Sequence, residues 1–82
     1  MDWEFEGVTV SKREGVCGGR ARIFGTRMPV WVLEDARRGG HSAKEVAAWY
    51  CGLTVEDVRA ATAYAREHRE EINRDILENL AD

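Results

Sequence analysis

Arginines in the middle of this sequence are the side chains best suited to chemistry. Residues 12–38 carry seven basic and three acidic side chains. Guanidinium groups bind phosphate oxygens through paired hydrogen bonds, and contacts to phosphate dominate the affinity of proteins for nucleic acids. The arginines that could form such a surface on a β-ribbon are Arg13, Arg20, Arg22 and Arg27. They could instead pair with acidic residues of this chain or of a neighbour, and the sequence leaves both interpretations open.

No other group of reactive side chains has the spacing of a catalytic or metal site. Cys17 and Cys51 are far apart in the sequence, and His41 and His68 are isolated. The glycine-rich stretch 14–19 lacks the strand–glycine–helix order and the Gly-Lys-Ser/Thr ending of a phosphate loop. Helix starts and solvated faces account for the carboxylates. We therefore expect a protein that is not an enzyme and has no catalytic residue, metal or cofactor.

The net charge of −3 over 82 residues hides an uneven distribution. Residues 1–11 carry −3, residues 12–38 carry +4 and residues 41–82 carry −4. An acidic average disfavours nucleic-acid binding by the whole surface, but a basic middle leaves a local site open. A chain of this length forms one small domain and is too short for a Rossmann-type or barrel enzyme.

The sequence also indicates a compartment. Two cysteines do not make a disulfide framework, and the acidic N-terminus lacks the apolar core of a secretory signal. No apolar run approaches the length of a membrane-spanning helix. We therefore expect a reduced, cytoplasmic protein with no membrane association.

The N-terminal third has strand periodicity. Residues 2–6 alternate, with Trp3 and Phe5 on one face and the acidic side chains on the other. Gly7 indicates a bulge or a bend, and residues 20–24 alternate again. This pattern predicts two short strands joined through a turn, with the acidic face of the first opposite the arginines of the second.

Helical spacing begins at Pro29. A helix to about Arg38 would have one apolar stripe, ended by a glycine pair, and Ser42 with Glu45 fits a capping box that starts a second helix. Thr54 is a good N-cap for a third. The predicted apolar faces are Pro29, Val32, Leu33 and Ala36 on the first helix and Ala43, Val46, Ala47 and Tyr50 on the second.

The second and third helices match a helix–turn–helix, with Gly52 in the turn. In that motif the later helix docks in the major groove of DNA. Its start carries Glu56 and Asp57, and Arg59 is the nearby cation. Carboxylates there would face phosphate and weaken DNA binding, so Arg59 is the candidate contact on this helix.

The C-terminal part is helical without an internal stop signal. It is one helix of roughly 25 residues or two helices with a break near His68 and Arg69. A small domain cannot easily cover a helix that long, so we expect the last turns to project and to meet another chain. The candidate partner-binding residues are Ile72, Ile76, Leu77 and Leu80.

Three runs of sequence resemble a known family. They are Gly18–Val30, which includes Gly-Gly, a following arginine and Gly25-Thr26-Arg27; Leu53–Val58; and Ala61–Ala65. Their order and spacing resemble the domain-of-unknown-function family DUF433 over residues 14–68. Ala21 departs from the usual proline of that family, and Cys51 stands near another usual proline.

The resemblance implies a small prokaryotic protein with a homeodomain-like or winged-helix-like helix–turn–helix and a short β element. It also implies an antitoxin role, in which family members are often paired with a nuclease-like toxin of the PIN type.

Together these observations predict a mainly α protein with a short N-terminal β-hairpin, a helix–turn–helix three-helix core and an extended C-terminal helix. We expect one domain, 1–82, with a β-hairpin arm at 1–27, the core at 28–67 and an amphipathic segment at 68–82. We expect an antitoxin that binds a small PIN-like ribonuclease toxin and, as a homodimer or higher homo-oligomer, operator DNA. The candidate DNA-binding residues are Arg20, Arg22, Arg27 and Arg59.

The alternative function belongs to another class. It is a non-enzymatic interaction module that self-associates through the hairpin, Trp31 or the last helix and has no nucleic-acid role. Trp31 and Trp49 fall off the apolar faces of their helices, which is typical of a partner surface or of packing against the hairpin.

Overall fold

The computed structural model describes residues 1–80, with a small antiparallel sheet at the N-terminus followed by four helices. The strands are β1 (Asp2–Phe5), β2 (Val8–Ser11) and β3 (Arg22–Ile23), and a short 3₁₀ turn spans Cys17–Gly19. The helices are α1 (Val30–Arg38), α2 (Ala43–Trp49), α3 (Val55–Glu67) and α4 (Arg69–Leu80). A mainly α fold with a small N-terminal β element is therefore confirmed.

The strand pairing differs from the predicted hairpin. The sheet has the order β1-β2-β3, so β1 pairs with β2, and β2 pairs with β3. Glu6 and Gly7 both have positive φ, of 47° and 83°, and form a tight two-residue turn instead of a bulge. Such turns match the twist of paired strands. Because β2 lies between β1 and β3, the acidic face of β1 is not opposite the arginines near β3. The prediction that these two faces would lie opposite each other is wrong.

Local capping was predictable for α2 and α3. The Ser42 hydroxyl accepts a hydrogen bond from the Glu45 amide, and the Ser42 amide donates to the Glu45 carboxylate, which confirms the capping box. Thr54 and Asp57 form a second reciprocal box at the start of α3. Each box satisfies amide groups that have no partner within the helix.

The buried face of α1 is only partly the predicted stripe. Pro29 is the N-cap, so α1 begins at Val30. Leu33 is buried as predicted, but Val32 is only half-buried. Val30 and the carboxylate of Glu34 are buried instead, because α1 is covered by α3 and α4 as well as by α2.

Of the two alternatives for the C-terminal part, the structure has two helices with a break at His68. His68 has φ −125° and ψ 47° and ends α3, after which α4 packs against α1 and α3. The expectation of an extended, projecting C-terminal helix is therefore wrong for Ile72 and Ile76, which are 0% and 6% exposed. They join one core with Val10 and Tyr64. No helix within residues 1–80 is long and apolar enough to cross a membrane.

Candidate functional site

The exposed face of α3 carries two arginines separated by small side chains. Arg59, Ala63 and Arg66 lie one turn apart in succession, so they share one side of the helix. With Thr62 and Phe5 of β1 they line a groove of about 250 Å³, which we call the α3 groove. The small side chains let a ligand approach the helix closely while guanidinium groups flank it.

A second concavity adjoins this groove. It has a volume of about 350 Å³ and lies between α1, α3 and α4. Its polar lining, which we call the arginine cleft, consists of Glu34, Arg37, Arg38, Arg66, Arg69 and Asn73. Arg66 lines both concavities, so the two form one continuous surface. The arginine face comprises all five arginines of the two: Arg37, Arg38, Arg59, Arg66 and Arg69.

Glu34 holds two of these arginines in place. Glu34 is 3% exposed, and its carboxylate accepts hydrogen bonds from Nε and Nη2 of Arg37, both at 2.7 Å, and from Nε of Arg38 at 3.0 Å. Nη2 of Arg38 also donates to Oδ1 of Asn73 at 2.6 Å. Burial alone raises the pKa of Glu34, but the hydrogen bonds and charges of Arg37 and Arg38 outweigh it and lower the pKa overall.

The charge of α3 changes along its length. Glu56 lies one turn before Arg59, so the first turn is acidic. Asp57 uses its carboxylate to cap the helix. Arg59 and Arg66 follow this acidic turn on the exposed side of α3, and Arg37, Arg38 and Arg69 continue the arginine face onto α1 and α4. This arrangement suits binding of an anion beside the helix better than contact at its N-terminus.

The arginines predicted on the β-ribbon do not come together. Arg20 forms ion pairs with Asp75 at 3.8 Å and Glu78 at 3.6 Å, both on α4. Arg22 is 8% exposed, and its Nη1 donates to the backbone oxygen of Thr26. Arg27 is exposed. Arg13 is exposed as well. Two of the four arginines predicted on the β-ribbon, Arg13 and Arg27, are therefore accessible cations, and Arg59 is the predicted DNA-binding residue that lies on the arginine face.

The basic residues of the N-terminal arm contact α4 instead. Lys12 pairs with Glu71 at 3.3 Å, beside the Arg20 pairs with Asp75 and Glu78. Burial is the largest effect on Asp75, followed by the charge of Glu71, and together they raise the pKa of the Asp75 carboxyl group above its ordinary value. These contacts attach the N-terminal arm to α4, and they engage Arg20, which the sequence suggested for DNA binding.

The predicted partner-binding residues separate into two groups. Ile72 and Ile76 lie in the core and are not available at the surface. Leu77 is 69% exposed and is accessible to a partner. The side chain of Leu80 lies outside the described part of the chain.

The remaining reactive groups are dispersed. Cys17 and Cys51 are free thiols, and the Sγ of Cys17 donates to the backbone oxygen of Arg27. Within residues 1–80 no group of three or more His, Cys, Asp or Glu side chains is arranged to hold a metal ion.

Sequence reasoning missed four of the five arginines of the face. Arg37 and Arg38 follow one another at the end of α1, and Arg66 and Arg69 are three residues apart across the helix break. Each pair is visible as a small basic cluster. Only the packing of α1 against α3 and α4 shows that the two pairs share a cleft.

Comparisons with other proteins agree with this fold. The family model described as "Protein of unknown function (DUF433)" matches residues 10–65. A crystal structure of a DUF433 member protein from Anabaena variabilis, at 2.00 Å resolution, is similar with a TM-score of 0.75 and 48% sequence identity. The match covers 82% of this chain and 66% of that chain, so this chain spans just under two thirds of its relative's length. No curated protein matches the chain.

Proposed function

This chain belongs to the DUF433 family, and we propose that it is an antitoxin whose arginine face binds operator DNA. The observation that carries the DNA-binding part is the continuity of the α3 groove with the arginine cleft through Arg66. Five arginines from three helices then present positive charge along one surface. Phosphate contacts of this kind supply most of the affinity of a protein for DNA and position it on the duplex.

A helix–turn–helix in α2 and α3 would bring this surface to DNA. The two helices pack on each other, and α1 packs on both, as in a three-helix DNA-binding domain of homeodomain-like or winged-helix-like type. The acidic first turn of α3 disfavours close approach of phosphate there. We therefore place the phosphate contacts at Arg59 and Arg66, with Arg37, Arg38 and Arg69 extending them.

The toxin would dock elsewhere on the chain. α4 presents Leu77, exposed and apolar, next to the acidic Glu78. An apolar contact bordered by carboxylates suits a basic partner, such as a PIN-like ribonuclease that itself binds RNA phosphates. A homodimer would double the DNA contacts and set the spacing of two operator half-sites.

Co-expression tests the antitoxin role. The neighbouring reading frame, expressed alone, should arrest growth, and co-expression with this chain should restore it and yield a complex on purification. A neighbouring protein that is neither bound nor neutralised would remove the antitoxin proposal. DNA binding is measured separately, with the isolated chain and its own upstream sequence over a series of salt concentrations. Absence of binding at low salt would remove the DNA part alone.

A second function, a self-associating interaction module, is favoured by different residues. Phe24, Trp49 and Leu77 are large, apolar and exposed. Tryptophan in particular is enriched at interfaces between proteins. Trp31 is half-buried against the core and contributes less exposed surface. The solution mass of this module should rise with protein concentration, and Trp49→Ser should lower it. These two results, together with an absence of DNA binding, would support the interaction module over the antitoxin.

A further inference from the structure

The arginine cleft has features that DNA binding by α3 does not require. Four guanidinium groups and one carboxylate line it, which leaves a net charge of +3 among its charged side chains. Within residues 1–80 no carboxylate lies within ion-pair distance of Arg66 or Arg69. Like charges gathered around one concavity repel one another, and a bound anion relieves that repulsion.

Two of the guanidinium groups are oriented before any ligand arrives. Arg37 uses Nε and Nη2 on Glu34, and Arg38 uses Nε on Glu34 and Nη2 on Asn73. In the described part of the chain, Nη1 of each has no hydrogen-bond partner. Because Glu34 and Asn73 already restrain these side chains, less conformational entropy is lost when an anion accepts hydrogen bonds from the remaining donors.

The shape and lining of the cleft define the chemistry of the anion. A volume of about 350 Å³ lies at the lower end of the range of small-molecule sites. The lining has no aromatic side chain on which a nucleobase could stack. The donors are guanidinium groups, whose planar geometry matches phosphate oxygens, and four of them exceed what one carboxylate can satisfy.

We propose that the arginine cleft is a binding site for a small anion that carries a diphosphate group. The anion is recognised by its phosphates and not by a base. Arg66 and Arg69 contact it directly, and Arg37 and Arg38 contribute their remaining N–H groups. Since Arg66 also lines the α3 groove, the bound anion competes with DNA for this side chain, a consequence that rests on the proposed function.

Calorimetric titration of the full chain tests the site without DNA or toxin. Inorganic pyrophosphate is the probe, with adenosine diphosphate and citrate titrated at the same pH and ionic strength. We expect pyrophosphate and adenosine diphosphate to bind with similar affinity, because both present a diphosphate and the cleft offers no stacking surface. Citrate, which carries a similar charge on carboxylates, should bind more weakly. Equal affinity for citrate and pyrophosphate would overturn the assignment to phosphate.

A pair of charge-matched variants locates the site. Arg66→Ala with Arg69→Ala should weaken pyrophosphate binding by about tenfold or more, which corresponds to 1.4 kcal/mol per factor of ten. Arg13→Ala with Arg74→Ala removes the same charge from exposed residues outside the cleft and should have little effect. Equal losses in the two variants would show general charge attraction and overturn the site.

Wild-type protein provides a measurement that does not depend on the folding of variants. Titration with pyrophosphate, followed by nuclear magnetic resonance, should shift signals of residues 34–38 and 66–73 first. Shifts centred on Arg27 or on the first turn of α3 would contradict the proposal. In the DNA assay, pyrophosphate should release the chain more effectively than chloride at equal ionic strength. Loss of that effect, with pyrophosphate binding intact, would overturn the competition alone and not the site.

Discussion

Tyr64 of α3 donates a hydrogen bond from its hydroxyl to the carboxylate of Glu71 in α4, at 3.0 Å and 3.1 Å from the two oxygens. The contact crosses the helix break at His68, whose ring stacks on Tyr64 at 4.0 Å. Trp3 of β1 meets the Tyr64 ring edge-on at 5.3 Å. One buried side chain therefore links the sheet, α3 and α4.

Removal of the Tyr64 hydroxyl tests this link. Tyr64→Phe keeps the ring and its aromatic contacts but removes the hydroxyl donor to Glu71, which retains its ion pair with Lys12. Because the acceptor is a carboxylate, we expect a loss of about 1.5–3 kcal/mol in the free energy of unfolding, measured with urea. Tyr50→Phe is the matched control, because Tyr50 is half-buried and its hydroxyl has no hydrogen-bond partner among residues 1–80. A similar small loss in both variants would mean that the Tyr64 hydroxyl adds little.

Alkaline pH should lower the free energy of unfolding of the wild type through the same tyrosine. Burial and then the nearby charge of Glu71 raise the pKa of Tyr64 far above its ordinary value. Above about pH 10 the unfolded tyrosine loses its proton while the folded one keeps it, so stability falls as pH rises. Tyr64→Phe should have a shallower decline above pH 10 than the wild type. Parallel curves for the two proteins would contradict this assignment.

Glu34 should contribute to unfolding in acid. Its pKa is lowered in the folded state, because the hydrogen bonds of Arg37 and Arg38 outweigh the effect of burial. Its stabilisation is therefore complete above its unfolded pKa, near 4.3, and is lost as pH falls below that value. Glu34→Gln should cost about 1.5–3 kcal/mol at pH 7, in the range for hydrogen bonds to a charged group. It should also have a flatter stability curve between neutral pH and acid than the wild type.

Ionisation of Asp75 should affect the stability of the fold in the opposite direction to ionisation of Glu34. Burial and then the charge of Glu71 raise its pKa, so ionised Asp75 lowers the stability of the folded state at neutral pH. Asp75→Asn should raise the midpoint of thermal unfolding at pH 7, and the gain should disappear as the wild-type carboxyl group is protonated in acid. A variant less stable than the wild type at pH 7 would show that the ion pair with Arg20 outweighs the cost of burial.

The arginine face should determine the salt dependence of DNA binding. Arg59→Ala with Arg66→Ala removes two phosphate contacts, so the slope of log affinity against log salt should fall by about 2. Arg27→Ala tests the β-ribbon that the sequence suggested and should leave the slope unchanged. The opposite pattern would assign the contacts to the ribbon. Arg22 is unsuitable for this comparison because it is buried and its replacement would disturb the sheet.

Two residues of α4 allow stability and partner binding to be tested separately. Ile72→Ala removes a fully buried side chain and should cost about 2–5 kcal/mol in the free energy of unfolding. Leu77→Ala, at an exposed position, should change stability by less than about 0.5 kcal/mol. Under the antitoxin proposal it should nevertheless weaken capture of the toxin in a pull-down. If the Leu77→Ala variant captures as much toxin as the wild type does, the toxin contact lies elsewhere on the chain.

Local features of this fold could be predicted from neighbouring residues alone. The capping box of Ser42 and Glu45 and the alternation of Trp3 and Phe5 each involve residues within one turn or one strand. The break near His68 was one of two alternatives that the sequence left open. These features depend on backbone conformation and on hydrogen bonds over three or four positions, which the order of residues specifies directly.

Which side chains of those helices and strands are buried, and which of them lie close together, depends on tertiary packing. The sequence determined that Arg37, Arg66 and Ile72 lie on helices, but not that the two arginines share a cleft or that Ile72 faces inward. The charge of Arg20 is evident from the sequence, but its ion pair with Asp75 of α4 is not. Such juxtapositions depend on strand order and on the way that α4 returns to pack on α1. They result from many weak non-local contacts acting together, and such contacts cannot be predicted from the periodicity of a single helix or strand.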